Sequence, residues 1–245
     1  MSDLGRAFVY LNDPFNWTRR DGILDLLGEH LWVSGAAVGG ALLVALPLGV
    51  VLGRARRGSG AVVVLSNVSR AVPTLALLTI FAVSPIGFGN PATALALALF
   101  AVPPILTNTY VGFRGVDADV REAARAMGMS GGQVLRRVET PLAAPLVLTG
   151  IRTAAVQVVA TATLAALVGG GGLGRLINLG FGQDDYGVMI AGAVLVAALA
   201  LLTELVLVVV SWALTPGRRR LPFRRESRGP ADLATPEPTA SGVPL

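Results

Sequence analysis

The chain has 245 residues, of which 53% are hydrophobic and 14% are charged, and its formal net charge is +5. With a mean hydropathy of +0.66 it is too apolar for an ordinary soluble domain. It has no cysteine and a single histidine, His30, which argues against thiol chemistry, a His-based zinc site or a Ser-His-Asp triad. Neither a metal site nor a resident cofactor is expected.

Long runs without Asp, Glu, Lys or Arg predict the membrane-spanning helices. A helix needs about 20 mostly apolar residues to cross a bilayer, and the segment 84–91, with its Pro and Gly, divides the longest run in two. We therefore predict an all-α, polytopic membrane protein with about five transmembrane helices. The spans are placed at residues 31–53, 61–83, 92–113, 145–168 and 187–213.

The segments outside the spans differ in composition. Residues 1–30 carry charges throughout and no apolar core, which indicates a loosely folded or amphipathic extracytoplasmic segment rather than a cleavable signal peptide. Residues 31–215 are interpreted as the transmembrane domain. Residues 216–245, rich in Pro, Gly, Ser, Thr and charge, are predicted to be a disordered cytoplasmic tail.

The distribution of arginine predicts the orientation. All 20 basic residues are Arg, and 14 of them cluster after span one, between spans three and four, and after span five. The loops 84–91 and 169–186 contain only one, Arg175. Because cytoplasmic loops are enriched in basic residues, the N-terminus is predicted outside and the C-terminus in the cytoplasm. The basic excess is thus a topology signal and does not indicate a nucleic-acid partner.

Two charged residues fall inside predicted spans. Arg70 in span two is costly at depth, so it either lies near the interface or faces the bundle interior. Glu204 in span five is either a functional carboxylate or a structural hydrogen-bond partner inside the bundle. The glycine-rich run 169–174 lacks the Lys-Ser/Thr of a phosphate-binding loop and is read as a flexible outer loop.

The loop 114–141 is predicted to contain two short helices. In the first, apolar residues recur at helical spacing to form one face, and Gly128 ends the helix. The members of that face are Val116, Val120, Ala123, Ala124 and Met127.

A second short helix is predicted to follow. Ser130 and Gln133 match a capping box at its start, and Pro141 is predicted to mark its end. A plain amphipathic connector is the alternative interpretation of the whole loop.

The same loop resembles the coupling loop of bacterial ABC importer permeases. That pattern is Glu-Ala-Ala, three residues, Gly, nine residues, an aliphatic, one residue, Leu-Pro, and here Thr140 stands where Leu is usual. The residues in register are Glu122, Ala123, Ala124, Gly128, Val138 and Pro141.

Further segments resemble permeases that import glycine betaine, carnitine or choline, over roughly residues 30–215. They begin at Pro73, Asn108, Gly150, Ala160 and Gly170. In that subfamily Gln more often stands at the position of Arg70.

The resemblance implies a type I ABC importer permease fold in the plasma membrane of a bacterium. It implies a second permease chain, identical or related, two ATP-binding cassette subunits on the coupling loops, and an extracytoplasmic substrate-binding protein. ATP would be bound by a partner subunit, so this chain is not expected to be an enzyme. Since recognition of quaternary ammonium compounds uses aromatic rings, Tyr110 in span three is the aromatic residue to test as pore-lining.

Three alternatives remain open from the sequence. A permease of a methionine or other amino-acid ABC importer keeps the class and changes the substrate. A secondary transporter driven by an ion gradient would show inverted repeats, of which no clear example is visible. A membrane-embedded enzyme would need His, Cys or paired carboxylates in the spans.

Overall fold

The computed structural model describes residues 2–56, 58, 60, 62, 64, 67 and 71–214. Throughout these residues the regular structure is helical, which confirms the all-α prediction. The described helices are α1 (Asp3–Asn12), α2 (Pro14–Thr18), α3 (Ile23–Ala55), α4 (Thr74–Ala82), α5 (Asn90–Arg114), α6 (Ala118–Ala126), α7 (Gly131–Val134), α8 (Thr140–Thr161), α9 (Gly174–Gly182) and α10 (Tyr186–Leu214). A π-helical turn, Leu135–Glu139, joins α7 to α8, and a 3₁₀ segment, Ala162–Val168, follows α8.

In the described part of the chain, four helical stretches are long and apolar enough to cross a membrane. They contain predicted spans one, three, four and five, and the first of them starts eight residues before the predicted span. The stretches are Ile23–Ala55, Asn90–Arg114, Gly131–Val168 and Tyr186–Leu214. Predicted span two ends in α4, whereas much of 61–70, including Arg70, lies outside the described residues, as does the predicted tail 216–245.

The bundle core is built where α3 packs along α5 and α5 packs along α8. Every fourth residue of α3 is small and buried, so that the backbones approach closely. These residues are Ala37, Ala41, Ala45, Gly49 and Gly53. A Cβ atom added at Gly49 would lie 2.6 Å from Cβ of Thr109 on α5, which shows how tight this contact is.

Of the two forms predicted for the N-terminal segment, the structure does not show the loosely folded one. The segment forms α1 and α2, and α1 packs against α10 with Ala7 buried. A guanidinium nitrogen of Arg6 lies 3.8 Å from the carboxylate of Asp185, just before α10 begins. The segment therefore covers one end of the last spanning helix.

The glycine-rich run Gly169–Gly174 is fixed rather than flexible, and this prediction was wrong. Glu29 accepts hydrogen bonds from the Asn90 side-chain amide at 2.6 Å and from the Gly172 backbone N–H at 3.0 Å. The Gly171 N–H donates to Oδ1 of Asn90 at 2.8 Å. Glycine is required here because a Cβ atom at Gly171 would lie within 2.0 Å of the Glu29 carboxylate.

His30 is buried inside the bundle, with hydrogen bonds at both ring nitrogens. Its Nδ1 accepts a hydrogen bond from the Leu173 backbone N–H at 3.3 Å, so its Nε2 carries the proton that is donated to the Val159 carbonyl at 2.9 Å. The ring therefore connects α3 to both the glycine-rich run and α8.

Candidate functional site

The first helix of the 114–141 loop forms where it was predicted. α6 is capped by Asp117, whose carboxylate accepts a hydrogen bond from the first helical turn. The helix ends before Gly128, which adopts a left-handed conformation with φ of +83°. The Met129 N–H then donates to the Ala124 carbonyl at 3.2 Å, which closes the helix end in the way that a following glycine allows. The prediction that Gly128 ends this helix is confirmed.

The second helix starts with the predicted capping box. The Ser130 N–H donates to Oε1 of Gln133 at 2.8 Å, and the Gln133 N–H donates to Oγ of Ser130 at 3.4 Å. These reciprocal bonds satisfy backbone donors at the start of α7 and fix the bend between α6 and α7.

Pro141 does not end the second helix, so this prediction was wrong. The chain continues from α7 through the π-helical turn into α8, with the Thr140 N–H donating to the Leu135 carbonyl. Pro141 lies in the first turn of α8, where a missing N–H is tolerated. The wider turn therefore passes the chain into the spanning helix without a break.

The apolar face predicted for α6 is divided between two sides of the helix. Val116 and Ala124 are buried against the protein. In contrast, Ala123 is exposed, and Val120 and Met127 are 42% and 72% exposed. Because positions i, i+3 and i+7 lie on one side of a helix, these three residues form an apolar stripe that faces away from the bundle.

Glu122 is also exposed, but it projects from a different side of α6, because neighbouring positions on a helix do not share a face. Val138, by contrast, is half-buried in the π-helical turn. The residues of the predicted pattern therefore divide into two groups. Glu122, Ala123 and Gly128 lie at the surface of the loop, whereas Ala124 and Val138 help to pack the loop onto the protein.

Glu139 anchors the loop to the bundle. Its side chain is 2% exposed and lies between two arginines, with Oε2 at 2.6 Å from Nε of Arg54 and Oε1 at 3.0 Å from Nε of Arg121. Arg121 also donates to the Phe113 carbonyl. This anchor cluster of Arg54, Arg121 and Glu139 joins the end of α3, the helix α6 and the π-helical turn.

The anchor cluster was missed by sequence reasoning. Glu139 is the residue two positions before Pro141, in a stretch with Arg136 and Arg137, and nothing local shows which arginine it contacts. The signal that was available is an acidic residue next to an otherwise basic stretch, at the point where the loop meets span four. π-Helical turns are frequent at functional sites, and this one carries Glu139.

The remaining candidates lie away from the loop surface. Tyr110 is 5% exposed and sits inside the bundle, with the Arg114 guanidinium 5.6 Å from its ring centroid and donating to its hydroxyl. Glu204 of α10 forms an ion pair with Arg152 of α8 at 3.3 Å. The sequence did not predict this partner for Glu204.

The helix bundle, with its anchored loop and outward apolar stripe, defines the class: a multi-pass membrane protein with the type I ABC importer permease fold. A solved structure of the methionine ABC transporter MetNI in inward-facing conformations matches with a TM-score of 0.69. The match covers 83% of this chain and 99% of that chain at 24% identity, which supports the fold alone.

Sequence comparison identifies the family. Residues 45–215 match the family described as "Binding-protein-dependent transport system inner membrane component". The "Glycine betaine/carnitine/choline transport system permease protein OpuCB" of Bacillus subtilis (strain 168) is 40% identical over 210 residues, covering 84% of this chain and 95% of that protein. The "Choline transport system permease protein OpuBB" of the same organism is 42% identical over 196 residues, covering 79% and 89%. The chain belongs to this family of inner-membrane transport components and is a transport permease subunit, not an enzyme.

Proposed function

We propose that this chain is the permease subunit of an ATP-driven importer for an osmoprotectant such as glycine betaine, choline or carnitine. The observation that carries the proposal is the 40–42% identity, over about four fifths of the chain, to two permeases named for these compounds. The likeness to a methionine importer, at 24% identity, supports the fold and carries no substrate argument.

The partners proposed are those that the resemblance to ABC importer permeases implies. A second permease chain completes the membrane unit, an extracytoplasmic binding protein delivers substrate, and two ATP-binding cassette subunits bind ATP. We assign contact with an ATPase to the stripe formed by Val120, Ala123 and Met127, and to the exposed Glu122 on a neighbouring side of the same helix. A compact apolar stripe on an exposed helix suits docking into a groove of a partner protein.

The orientation follows from charge. Arg54, Arg114 and Arg121 lie at the end of the bundle that carries the loop, together with the exposed Arg125. Because basic residues are retained in the cytoplasm, we place the loop there and the glycine-rich run on the outer side, with the N-terminus outside and the C-terminus cytoplasmic.

The mechanism proposed is alternating access. Closure of the two ATPases moves the docked α6. The anchor cluster transmits that movement to α3, whose last turn carries Arg54, and to α8, which begins directly after Glu139. An ion-gradient carrier would not need a helical loop anchored in this way.

Uptake of radiolabelled glycine betaine at high osmolarity tests the proposal. It is measured in a strain lacking the gene, in the complemented strain, and in a strain lacking the partner ATPase, with unlabelled choline, carnitine and methionine as competitors. We expect gene- and ATPase-dependent uptake that quaternary amines inhibit. Competition by methionine alone would move the substrate to amino acids, and uptake independent of the ATPase would refute the ABC mechanism.

A further inference from the structure

A cavity of about 490 Å³ lies between α5, α8 and the segment leading into α4. Its volume falls within the roughly 300–1,000 Å³ of small-molecule sites. Thr107 and Asn108 of α5 face Thr153 and Gln157 of α8 across it, and Phe100 contributes an aromatic ring. The cavity is formed well inside two spanning helices rather than at the anchored loop.

The two walls of the cavity meet at a close contact. Gly150 lies one turn before Thr153, and a Cβ atom added there would be 2.7 Å from Cβ of Asn108 and 2.9 Å from the Pro104 carbonyl. Glycine at this position lets α8 approach α5 closely, so that polar side chains of both helices line the same cavity.

The described lining is polar but uncharged. Five of the ten described lining residues carry hydroxyl or amide side chains, and none of the ten is ionisable. The Thr107 hydroxyl is buried and has no hydrogen-bond partner among the described residues. The side-chain amide of Asn108 donates to the Pro104 carbonyl at 2.8 Å, so its own carbonyl oxygen is directed to other partners.

Backbone oxygens add to this supply of acceptors. Pro103 and Pro104 have no N–H, so the carbonyls of Leu99 and Phe100 lose the donors that a helix normally provides one turn later. Phe100 is itself a lining residue, and freed backbone carbonyls coordinate cations in the broken spanning helices of secondary transporters.

Two of the side chains that line the cavity are exposed at the surface of the protein. Thr153 and Gln157 are exposed on α8 although that helix lies in a spanning stretch. Polar groups facing hydrocarbon are costly, so this face requires water, substrate or a second permease chain rather than lipid.

We infer that this cavity, lined by Thr107, Asn108, Thr153 and Gln157, is a passage site for the quaternary ammonium substrate, an inference that rests on the proposed function. A trimethylammonium group donates no hydrogen bond and is stabilised by acceptor oxygens and by the face of Phe100. The carboxylate or hydroxyl end of the substrate accepts from the amide and hydroxyl donors. The described part of the lining is uncharged, so it admits both a cation and a zwitterion and releases both, because transport requires binding that is weak enough to leave.

Gln157→Glu tests this inference through substrate charge. The replacement keeps the shape of the side chain and adds a negative charge to the cavity, which favours the cation choline over the zwitterion glycine betaine. Even with the dielectric constant of bulk water, a unit charge about 4 Å from the ammonium group is worth about 1 kcal/mol, so the ratio of choline to glycine betaine uptake should rise about fivefold or more. A merely structural role for Gln157 would lower both rates together and leave their ratio unchanged.

Thr153→Val supplies a second test with a matched control one turn away. It removes a hydroxyl from the cavity and should lower glycine betaine uptake about threefold, the value of one hydrogen bond. Thr149→Val removes a hydroxyl from the same helix outside the cavity lining, where Thr149 donates to the Pro145 carbonyl at 2.8 Å, and should leave uptake unchanged. Immunoblots of membranes confirm equal amounts of each protein.

The outcomes separate this inference from the proposed function. If the wild-type gene restores glycine betaine uptake but Gln157→Glu keeps the wild-type ratio and Thr153→Val keeps the wild-type rate, the site assignment is overturned and the importer stands. If the wild-type gene restores uptake of neither glycine betaine nor choline, the proposed substrate fails, and the assigned ligand of the cavity fails with it.

Discussion

Replacing Glu139 with Gln should loosen the 114–141 loop from the bundle. In the wild type the buried carboxylate lies at 2.6 Å from Arg54 and 3.0 Å from Arg121. Glu139→Gln keeps the size of the side chain and leaves two guanidinium groups facing each other without a counter-charge. Uncoupling a buried ion pair in this way costs about 3–5 kcal/mol.

The exposure of the two arginines sets the magnitude within that range. Arg121 is 11% exposed and loses its counter-ion in a nearly dry site, whereas Arg54 is 31% exposed and regains hydration. We therefore expect the lower end, about 3 kcal/mol. For a chain of this size that corresponds to a fall of roughly 6–12 °C in the apparent melting temperature.

The first assay is thermal melting of the detergent-purified, fluorescently tagged permease, monitored by size-exclusion chromatography. The second assay is uptake by the complete transporter. Arg125→Gln is the control because Arg125 is exposed on the same helix as Arg121. The double variant Glu139→Gln/Arg121→Gln should lose less stability than the two single variants added together, since the groups contact each other. Wild-type melting and wild-type uptake of Glu139→Gln would refute the role of the anchor cluster.

The remaining predictions concern the surface of the loop and the glycine-rich run. Glu122→Lys reverses an exposed charge and should reduce uptake without changing melting or membrane insertion; normal uptake would remove this residue from the ATPase contact. Gly128→Val forces a β-branched residue to φ of +83°, and no neighbouring atom lies within 4 Å of the added Cβ, so the cost of about 1–2 kcal/mol comes from backbone strain alone. The variant should reduce coupling, which is measured as more ATP hydrolysed per substrate transported. Gly171→Ala places a Cβ atom within 2.0 Å of the Glu29 carboxylate and should lower the melting temperature, by overpacking that costs about 1–3 kcal/mol. Gly182→Ala is its control, with open space around the added atom, and equal melting of the two variants would contradict the packing described for the run.

Local sequence signals predicted local structure well. The charge-free runs located the described spans because the requirement for apolar length is a property of each segment alone. Gly128 and the pair Ser130 and Gln133 predicted a helix end and a helix start, since caps depend on residues a few positions apart. The bend between α6 and α7 could therefore be predicted from the sequence.

Contacts between distant segments could not be predicted in the same way. Glu139 contacts Arg54 on another spanning helix, and the sequence contains many arginines that would satisfy a carboxylate equally well. The ion pair of Glu204 with Arg152 likewise joins α10 to α8, and no local signal in the sequence connects these two residues. A glycine-rich run normally indicates flexibility, and only the positions of Glu29 and Asn90 in three dimensions show that this one is fixed.

Pro141 was misread for a different reason. Proline is a reliable signal that a helix does not continue unchanged, but it does not say whether the helix stops or adjusts. Here the preceding turn widens into a π-helical turn, and the helix continues as α8. The same adjustment carries Glu139 to a buried position between its two arginines.

The two helices that form the walls of the polar cavity, α5 and α8, are also the two helices that the 114–141 loop connects. α8 begins directly after Glu139 and carries Thr153 about 20 Å further along its axis. α5 carries Asn108 and ends beside Phe113, whose carbonyl is held by Arg121. A movement of the loop as a rigid body must therefore displace both walls, because the π-helical turn continues into α8 and Arg121 of the loop donates to the Phe113 carbonyl of α5. The close contact of Gly150 with Asn108 lies between the anchor and most of the cavity, so a tilt of α8 against α5 at that contact changes the width of the cavity. On this basis we expect that a movement of the loop, transmitted along α5 and α8, changes the width of the cavity around the substrate.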